Sequence, residues 1–127
     1  MDQFPFRKYL LDKPEAWEDF PFGKDVSVYK IDKKMFALSS SSDGIANLNL
    51  KCDPDQAFIL RDIFESVVPG YHMNKRHWNT IYLDGSFPRG EIERMIDHSY
   101  ELVVKAFTRK RRLSLELAHG VDNLYCK

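Results

Sequence analysis

The stretch VSVYKIDKKMFALSSSSDGIANLNLKCDP, Val26–Pro54, decides how this chain folds. Val26–Ile31 and Lys34–Ser40 are short β-favouring runs joined at Asp32-Lys33, a pair suited to a tight hairpin connection. The polar tract Ser39–Gly44 ends in Asp-Gly, a strong turn dipeptide. Ile45–Lys51 then alternates, with Ala46, Leu48 and Leu50 against Asn47 and Asn49, so one face of this strand is expected to be buried and the other wet. Asp53-Pro54 opens a helix. Asp53 can accept from the first-turn amides, Pro54 at the first helical position loses no hydrogen bond, and Gln56 is placed to reach back in a capping box. Sequential strands joined by short turns imply an antiparallel meander rather than a parallel sheet with crossovers.

Working outward, Leu60, Ile63, Phe64 and Val67 recur at helical spacing as the buried stripe of the helix after Pro54, which Pro69-Gly70 would end. Towards the N-terminus, Asp2 can cap a first helix that carries Phe6, Tyr9 and Leu10 inward and stops before Pro14. The linker Pro14–Gly23 holds Trp17, Phe20, Pro21 and Phe22, aromatics placed over the edge of the core. Towards the C-terminus comes PGYHMNKRHWNTIYLDGSFP, Pro69–Pro88, the densest set of chemically expensive side chains in the chain. Within it His77–Asp84 alternates as a strand, with Trp78, Thr80 and Tyr82 pointing one way and His77, Asn79, Ile81 and Leu83 the other. A third helix, about Pro88–Phe107, lines Ile92, Met95, Ile96, Leu102, Val103 and Phe107 on one face, and a last one runs over Arg109–Ala118 with Gly120 as its stop. The order is helix, three strands, helix, strand, helix, helix. It reads as an α+β two-layer sandwich, an antiparallel sheet with its helices mainly on one face.

With 127 residues, 1–127 form a single domain. A hydrophobic share of 43% and a charged share of 30% fit a globular protein, and no apolar run is long enough to span a bilayer. The N-terminal MDQFPFRKYLL lacks the pattern of a secretory signal, so the cytoplasm is the expected location. Cys52 and Cys126 stand far apart and are expected to be free thiols; nothing supplies the clustered ligands of a zinc site. Nineteen basic and nineteen acidic side chains cancel, which argues mildly against strong nucleic-acid binding. Their distribution is uneven: Asp12, Glu15, Glu18 and Asp19 crowd the early chain, and Arg109–Arg112 run consecutively near its end.

Six blocks carry a family resemblance: EDFPFG (Glu18–Gly23), KMFAL (Lys34–Leu38), NLKCDP (Asn49–Pro54), PGYHMNKRHWNT (Pro69–Thr80), LDGSFP (Leu83–Pro88) and IDHSYELVV (Ile96–Val104). In order and spacing they resemble the MmcQ/YjbR family of small bacterial proteins, from the start of the chain to about Phe107; the basic tail 108–127 lies outside. The resemblance implies a CyaY-like, or frataxin-like, α+β fold, a cytoplasmic location, and a proposed DNA-binding role through a "double wing" of two hairpin-like projections beside the sheet. Two departures stand out. Where relatives tend to place an acidic residue after the proline of the LDGSFP-like block, this chain has Arg89-Gly90, which adds positive charge. The SSSSDG tract carries no basic residue, which weakens that turn as a phosphate-gripping wing.

Lys75, Arg76, His77 and Trp78 combine cations with an aromatic plate, the pairing that single-stranded nucleic-acid sites use. Asn79 and Thr80 add polar groups for phosphate or base edges, Lys33 and Lys34 sit at the first hairpin tip, and Arg89 is taken as a further cation beside the cluster. The bland alternative makes Trp78 a core or sheet residue and leaves Lys75 and Arg76 solvated. The run Arg109–Arg112 is read in preference as a solvated basic cap near the C-terminal end of the third helix, where cations suit the dipole. His72 and His77, five residues apart, do not converge on a regular element, so no metal is expected. His98 beside Asp97 lacks a nucleophile and reads as a solvated or hydrogen-bonded surface histidine. The iron-binding acidic helix of frataxin-like folds is not carried over, because the first helix offers only Asp2 and Asp12 around Arg7 and Lys8.

The expectation is therefore a non-enzymatic protein without cofactor that binds DNA with little sequence preference. The alternative is a protein–protein or self-association module using the uncovered sheet face or the Trp17–Phe22 linker. A third reading, a small-molecule or enzymatic site around His72, His77 and Asp84, requires a deep pocket at that place.

Overall fold

The computed structural model describes residues 5–42, 44–70 and 74–125. Eleven elements follow in chain order: α1 (Arg7–Leu11), β1 (Ala16–Asp19), β2 (Ser27–Ile31), β3 (Lys34–Ser42), β4 (Ile45–Lys51), α2 (Pro54–Ile63), β5 (Val67–Pro69), β6 (Trp78–Tyr82), α3 (Arg89–Lys105), α4 (Arg109–His119) and α5 (Val121–Leu124). All six strands form one sheet in the order β1-β2-β3-β4-β6-β5, and each neighbouring pair is antiparallel. The helices contribute Leu10, Ile92, Ile96, Tyr100, Val104, Leu115 and Leu124 to one cluster with Ile31, Leu48, Leu50 and Ile81 of the sheet. The α+β sandwich with helices on one face is therefore the architecture of the molecule.

The β2–β3 hairpin turns on Asp32, at φ +54, a left-handed conformation that Asp tolerates better than most residues. Pairing shifts within this hairpin: Tyr29 faces Ala37 and Lys30 faces Met35, which leaves Phe36 as an extra residue on β3. The bulge turns Phe36 towards α3, where its ring meets Tyr100 edge-on with centroids 5.2 Å apart. Ser99 of α3 closes the layer, donating to the Phe36 carbonyl at 2.6 Å and accepting from the Lys51 amide at 2.9 Å. It is a buried hydroxyl with both roles satisfied, and it fixes the height of α3 over β3 and β4.

Asp53 caps α2 as its position predicts, accepting from the Asp55 amide at 2.9 Å and the Gln56 amide at 3.4 Å. The Asp53 amide, which a capping box would hand to Gln56, instead donates to His98 Nε2 on α3 at 3.3 Å. His98 is thus the hydrogen-bonded one of the two surface readings, and its bond ties α3 to the start of α2.

Several element boundaries differ from the sequence expectation. Helix α2 stops at Ile63, and Val67–Pro69 pairs with β6 as an edge strand. The β-branched pair Val67-Val68 before a proline favours extended backbone, and this outweighs the helical spacing of Val67. Ile63, expected in the core, is 62% exposed. The linker 14–23 contains β1, whose Ala16–Asp19 pair with β2; Phe20 and Phe22 beyond it are exposed rather than laid over the core. Helix α1 begins at Arg7 with Phe6 as its cap residue, while Asp2 lies outside the described residues. The polar face of β4 is not uniformly wet, since Asn47 is only 6% exposed; its amide oxygen accepts from Ser40 Oγ at 3.0 Å and from Asn49 Nδ2 at 3.3 Å.

Candidate nucleic-acid interface

Register fixes which cations share an end of the sheet. Ala37 pairs with Leu50 and Lys51 with Trp78, so the start of β3, the end of β4 and the start of β6 lie together. Lys33 and Lys34, both exposed, therefore project at the same end as Lys75 and Arg76, also exposed, on the segment entering β6. Two strand spacings separate β3 from β6, about 10 Å. The segment is held from below by Arg61 of α2, whose guanidinium donates to the Lys75 and Trp78 carbonyls and, through Nε, to Asn79 Oδ1 at 2.7 Å. Asn74 Oδ1 accepts from the Arg76 amide at 3.0 Å, and the His77 carbonyl accepts from the Cys52 amide at 2.6 Å.

The run Arg109–Arg112 joins this end. Thr108 caps α4 by accepting from the Arg111 amide at 3.2 Å. The Arg111 guanidinium then grips Asp32 at the hairpin tip through Nε at 2.8 Å and Nη2 at 2.9 Å, and reaches Glu15 at 2.6 Å. Glu15 also meets His119 Nε2 at 2.7 Å. These hydrogen bonds hold the Glu15 and Asp32 carboxyls below their usual range and raise Arg111 above its own. Arg111 is thus a structural clamp, whereas Arg109 and Lys110 stay exposed beside the tip. Reading all four as a solvated cap misses that division of labour, which depends on Asp32 and Glu15 meeting Arg111 across the fold.

Three of the expected site residues lie elsewhere. Arg89 starts α3 at the opposite end, because β6 leaves its cation-rich end at Trp78 and finishes at Tyr82 before the turn into the helix. There its guanidinium carbon lies 4.5 Å from the Phe6 ring centroid and its Nε bonds Glu93 at 3.2 Å. Asn79 is fully buried on the core side, opposite Leu50. Thr80 is on the other face but nearly buried, and its hydroxyl donates to Asn49 Oδ1. His77 is half-buried.

Trp78 is half-buried on the face of the sheet away from the helices, next to Lys51. Gly70 packs against it so closely that a Cβ there would sit 3.0 Å from the Trp78 Cβ. On the same face Trp17 of β1 lies across from Lys30 of β2, whose Nζ is 5.3 Å from the indole centroid and 2.7 Å from Asp19 Oδ2. A band of Trp17, Lys30, Met35, Lys51 and Trp78 thus crosses the uncovered face. Lys30 and Lys51 are legible as outward residues once the strand alternation is followed through β2 and β4, and the sequence reading left them out.

Asp84 does not join His77. The two flank β6 at opposite ends, and Asp84 accepts from the Ser86 amide at 2.9 Å and from its hydroxyl, which lowers the carboxyl's pKa. His72 lies outside the described residues, and neither His77 nor Asp84 lines the groove between α2 and α3 described below. The Cys52 thiol is pushed up to about 11 by burial, with Asp53 adding to the shift, so it is no activated nucleophile. No group of three or more metal-ligating side chains forms among the described residues.

A six-stranded antiparallel sheet with helices on one face, its cations collected where the β2–β3 tip meets the entry to β6, defines a small α+β protein with one cation-rich sheet end. The YjbR family model matches residues 11–102, and the chain belongs to that family. An Escherichia coli O157:H7 protein, the uncharacterised protein YbdF, is 35% identical over 104 residues, covering 82% of this chain and 85% of its own. The uncharacterised protein YyaQ of Bacillus subtilis is 47% identical over 105 residues, covering 75% and 87%. Among solved structures, the Deinococcus radiodurans protein DR2400 superposes with a TM-score of 0.82 at 33% identity, covering 96% of this chain and 93% of that one. A Pseudomonas syringae protein gives a TM-score of 0.69 at 29% identity, covering 80% and 98%.

Proposed function

We propose that this protein binds DNA with modest affinity and little sequence preference, using the end of the sheet that carries Lys33, Lys34, Lys75, Arg76, Arg109 and Lys110. One observation carries the reading: the sheet register and the Arg111 clamp bring three cation pairs from distant parts of the chain to one end of the molecule. Among the described residues, Lys33, Lys34, Arg76, Arg109 and Lys110 have no acidic partner, whereas Lys8, Lys13, Arg7, Arg89 and Arg94 are each paired. Zero net charge is compatible with this, because phosphate contact depends on where the cations stand. Trp78 and Lys51 extend the patch onto the uncovered face, where a ring can meet an unstacked base.

Fluorescence anisotropy of a labelled oligonucleotide at several salt concentrations tests the proposal. If four of these cations meet phosphates, log affinity falls against log salt with a slope of about −3 to −4. Removing Lys33 and Lys34 together should flatten the slope by roughly two. Arg89→Ala, at the other end, should leave it unchanged. Absence of binding at low salt, or binding indifferent to salt, refutes the reading. A protein partner or second copy is the alternative, favoured by the exposed side chains of Trp17, Phe20 and Phe22 along one edge. It predicts self-association or partner capture that the lysine substitutions leave intact.

A further inference from the structure

Helices α2 and α3 do not close over the sheet between them. They leave a groove of about 700 Å³, within the range of small-molecule sites. Much of its wall is apolar: Ile59, Leu60 and Ile63 from α2 and Phe64 just after it face Met95 from α3, Leu50 forms part of the floor, and Lys51, Cys52 and Gln56 complete that side. Arg94 and Glu91, paired to each other, and His98 line its α3 side.

Asn79 lies in that floor. Asn79 is fully buried, and its Oδ1 is committed to Arg61 Nε at 2.7 Å, which fixes the amide with Nδ2 on the other side. That Nδ2 is buried and has no hydrogen-bond partner among the described residues. Buried amide donors are seldom left unpaired. The Arg61 guanidinium withdraws charge from the amide oxygen and so strengthens the unpaired N–H as a donor, most of all towards an anionic acceptor.

We propose that this groove binds a small apolar carboxylic acid. A carboxylate oxygen accepts from Asn79 Nδ2, and the hydrocarbon body lies between Ile59 and Ile63 on one side and Met95 on the other. The groove is lined by none of Lys33, Lys34, Arg109 or Lys110, although Arg61 joins its Asn79 to the Lys75 and Trp78 carbonyls.

The test is a titration of ¹⁵N-labelled full-length protein with 4-phenylbutanoate, and with 4-phenylbutan-1-ol as the uncharged counterpart. The acid should move the Asn79 side-chain amide resonances together with the backbone signals of Ile59, Ile63 and Met95. The alcohol should bind at least about tenfold more weakly, the worth of a charge-assisted hydrogen bond. Asn79→Asp keeps an acceptor for Arg61 and replaces the donor with a negative oxygen, so acid binding should fall by more than about tenfold. Ile63→Glu places a negative charge on an exposed position of the groove wall, cannot threaten folding through the core, and should also weaken the acid. The inference is overturned if acid and alcohol bind equally, if the shifts map outside the groove, or if both variants bind the acid as the parent does. It is equally overturned if millimolar probe shifts nothing, including the case in which a second copy of the chain already fills the groove.

Discussion

Arg111→Ala should loosen the attachment of the β2–β3 hairpin to α4, and the structure sets the size of the effect. The side chain makes two contacts to Asp32 and one to Glu15, all between 2.6 and 2.9 Å, yet the three residues are between 31% and 43% exposed. Solvent screening at that exposure limits each ion pair to about 0.2–1 kcal/mol, so the substitution should cost about 1–2 kcal/mol in all. For a chain of this length that lowers the melting temperature by about 4–8 °C. The pH dependence identifies the cause. Folding lowers the pKa of Glu15 and Asp32, so their stabilisation is complete above their unfolded values and is lost as pH falls through the lower folded ones. Thermal melts by circular dichroism should therefore separate parent and variant at neutral pH and converge in acid, once pH has fallen through the lowered folded-state values of the two carboxyls. Equal melting temperatures at neutral pH, or a gap that persists in acid, would refute the reasoning.

Two further outcomes follow from buried groups. Ser99→Ala removes both the donor to Phe36 and the acceptor for the Lys51 amide, and should cost about 1–3 kcal/mol in urea unfolding without changing net charge. Cys52, buried with its thiol pushed up to about 11, should stay unalkylated by iodoacetamide at neutral pH in the native protein and react once unfolded; peptide mass mapping reads this site alone.

The strands that alternate were legible from the residues: Ile45–Lys51 matches β4, and Trp78, Thr80 and Tyr82 do share a face. The Asp53 cap was legible for the same reason, because its partners are two and three residues away. Edge strands were not. Ala16–Asp19 carries two acids and no alternation, and only its pairing with β2 makes it a strand. Val67 fits a helical stripe equally well by spacing, and Pro69 decides otherwise. The candidate site divided along the same line. Lys33, Lys34, Lys75 and Arg76 share an end because strand direction was readable. Asn79 was readable as inward, yet its polarity suggested a contact outside; Arg61, eighteen positions earlier and outside every quoted block, is what satisfies it within. Arg89 looked close in sequence to the cluster, but a strand's length carries it to the far end.

Both margins of the sheet are poor templates for another chain. β1 offers four residues bearing Glu18 and Asp19, and β5 offers three, the last of them a proline without an amide hydrogen. Stacking of copies through backbone ladders is thereby discouraged at either side. Side chains on the broad surfaces and tips are left as the groups best placed for contact, and the rows of strands end where they are.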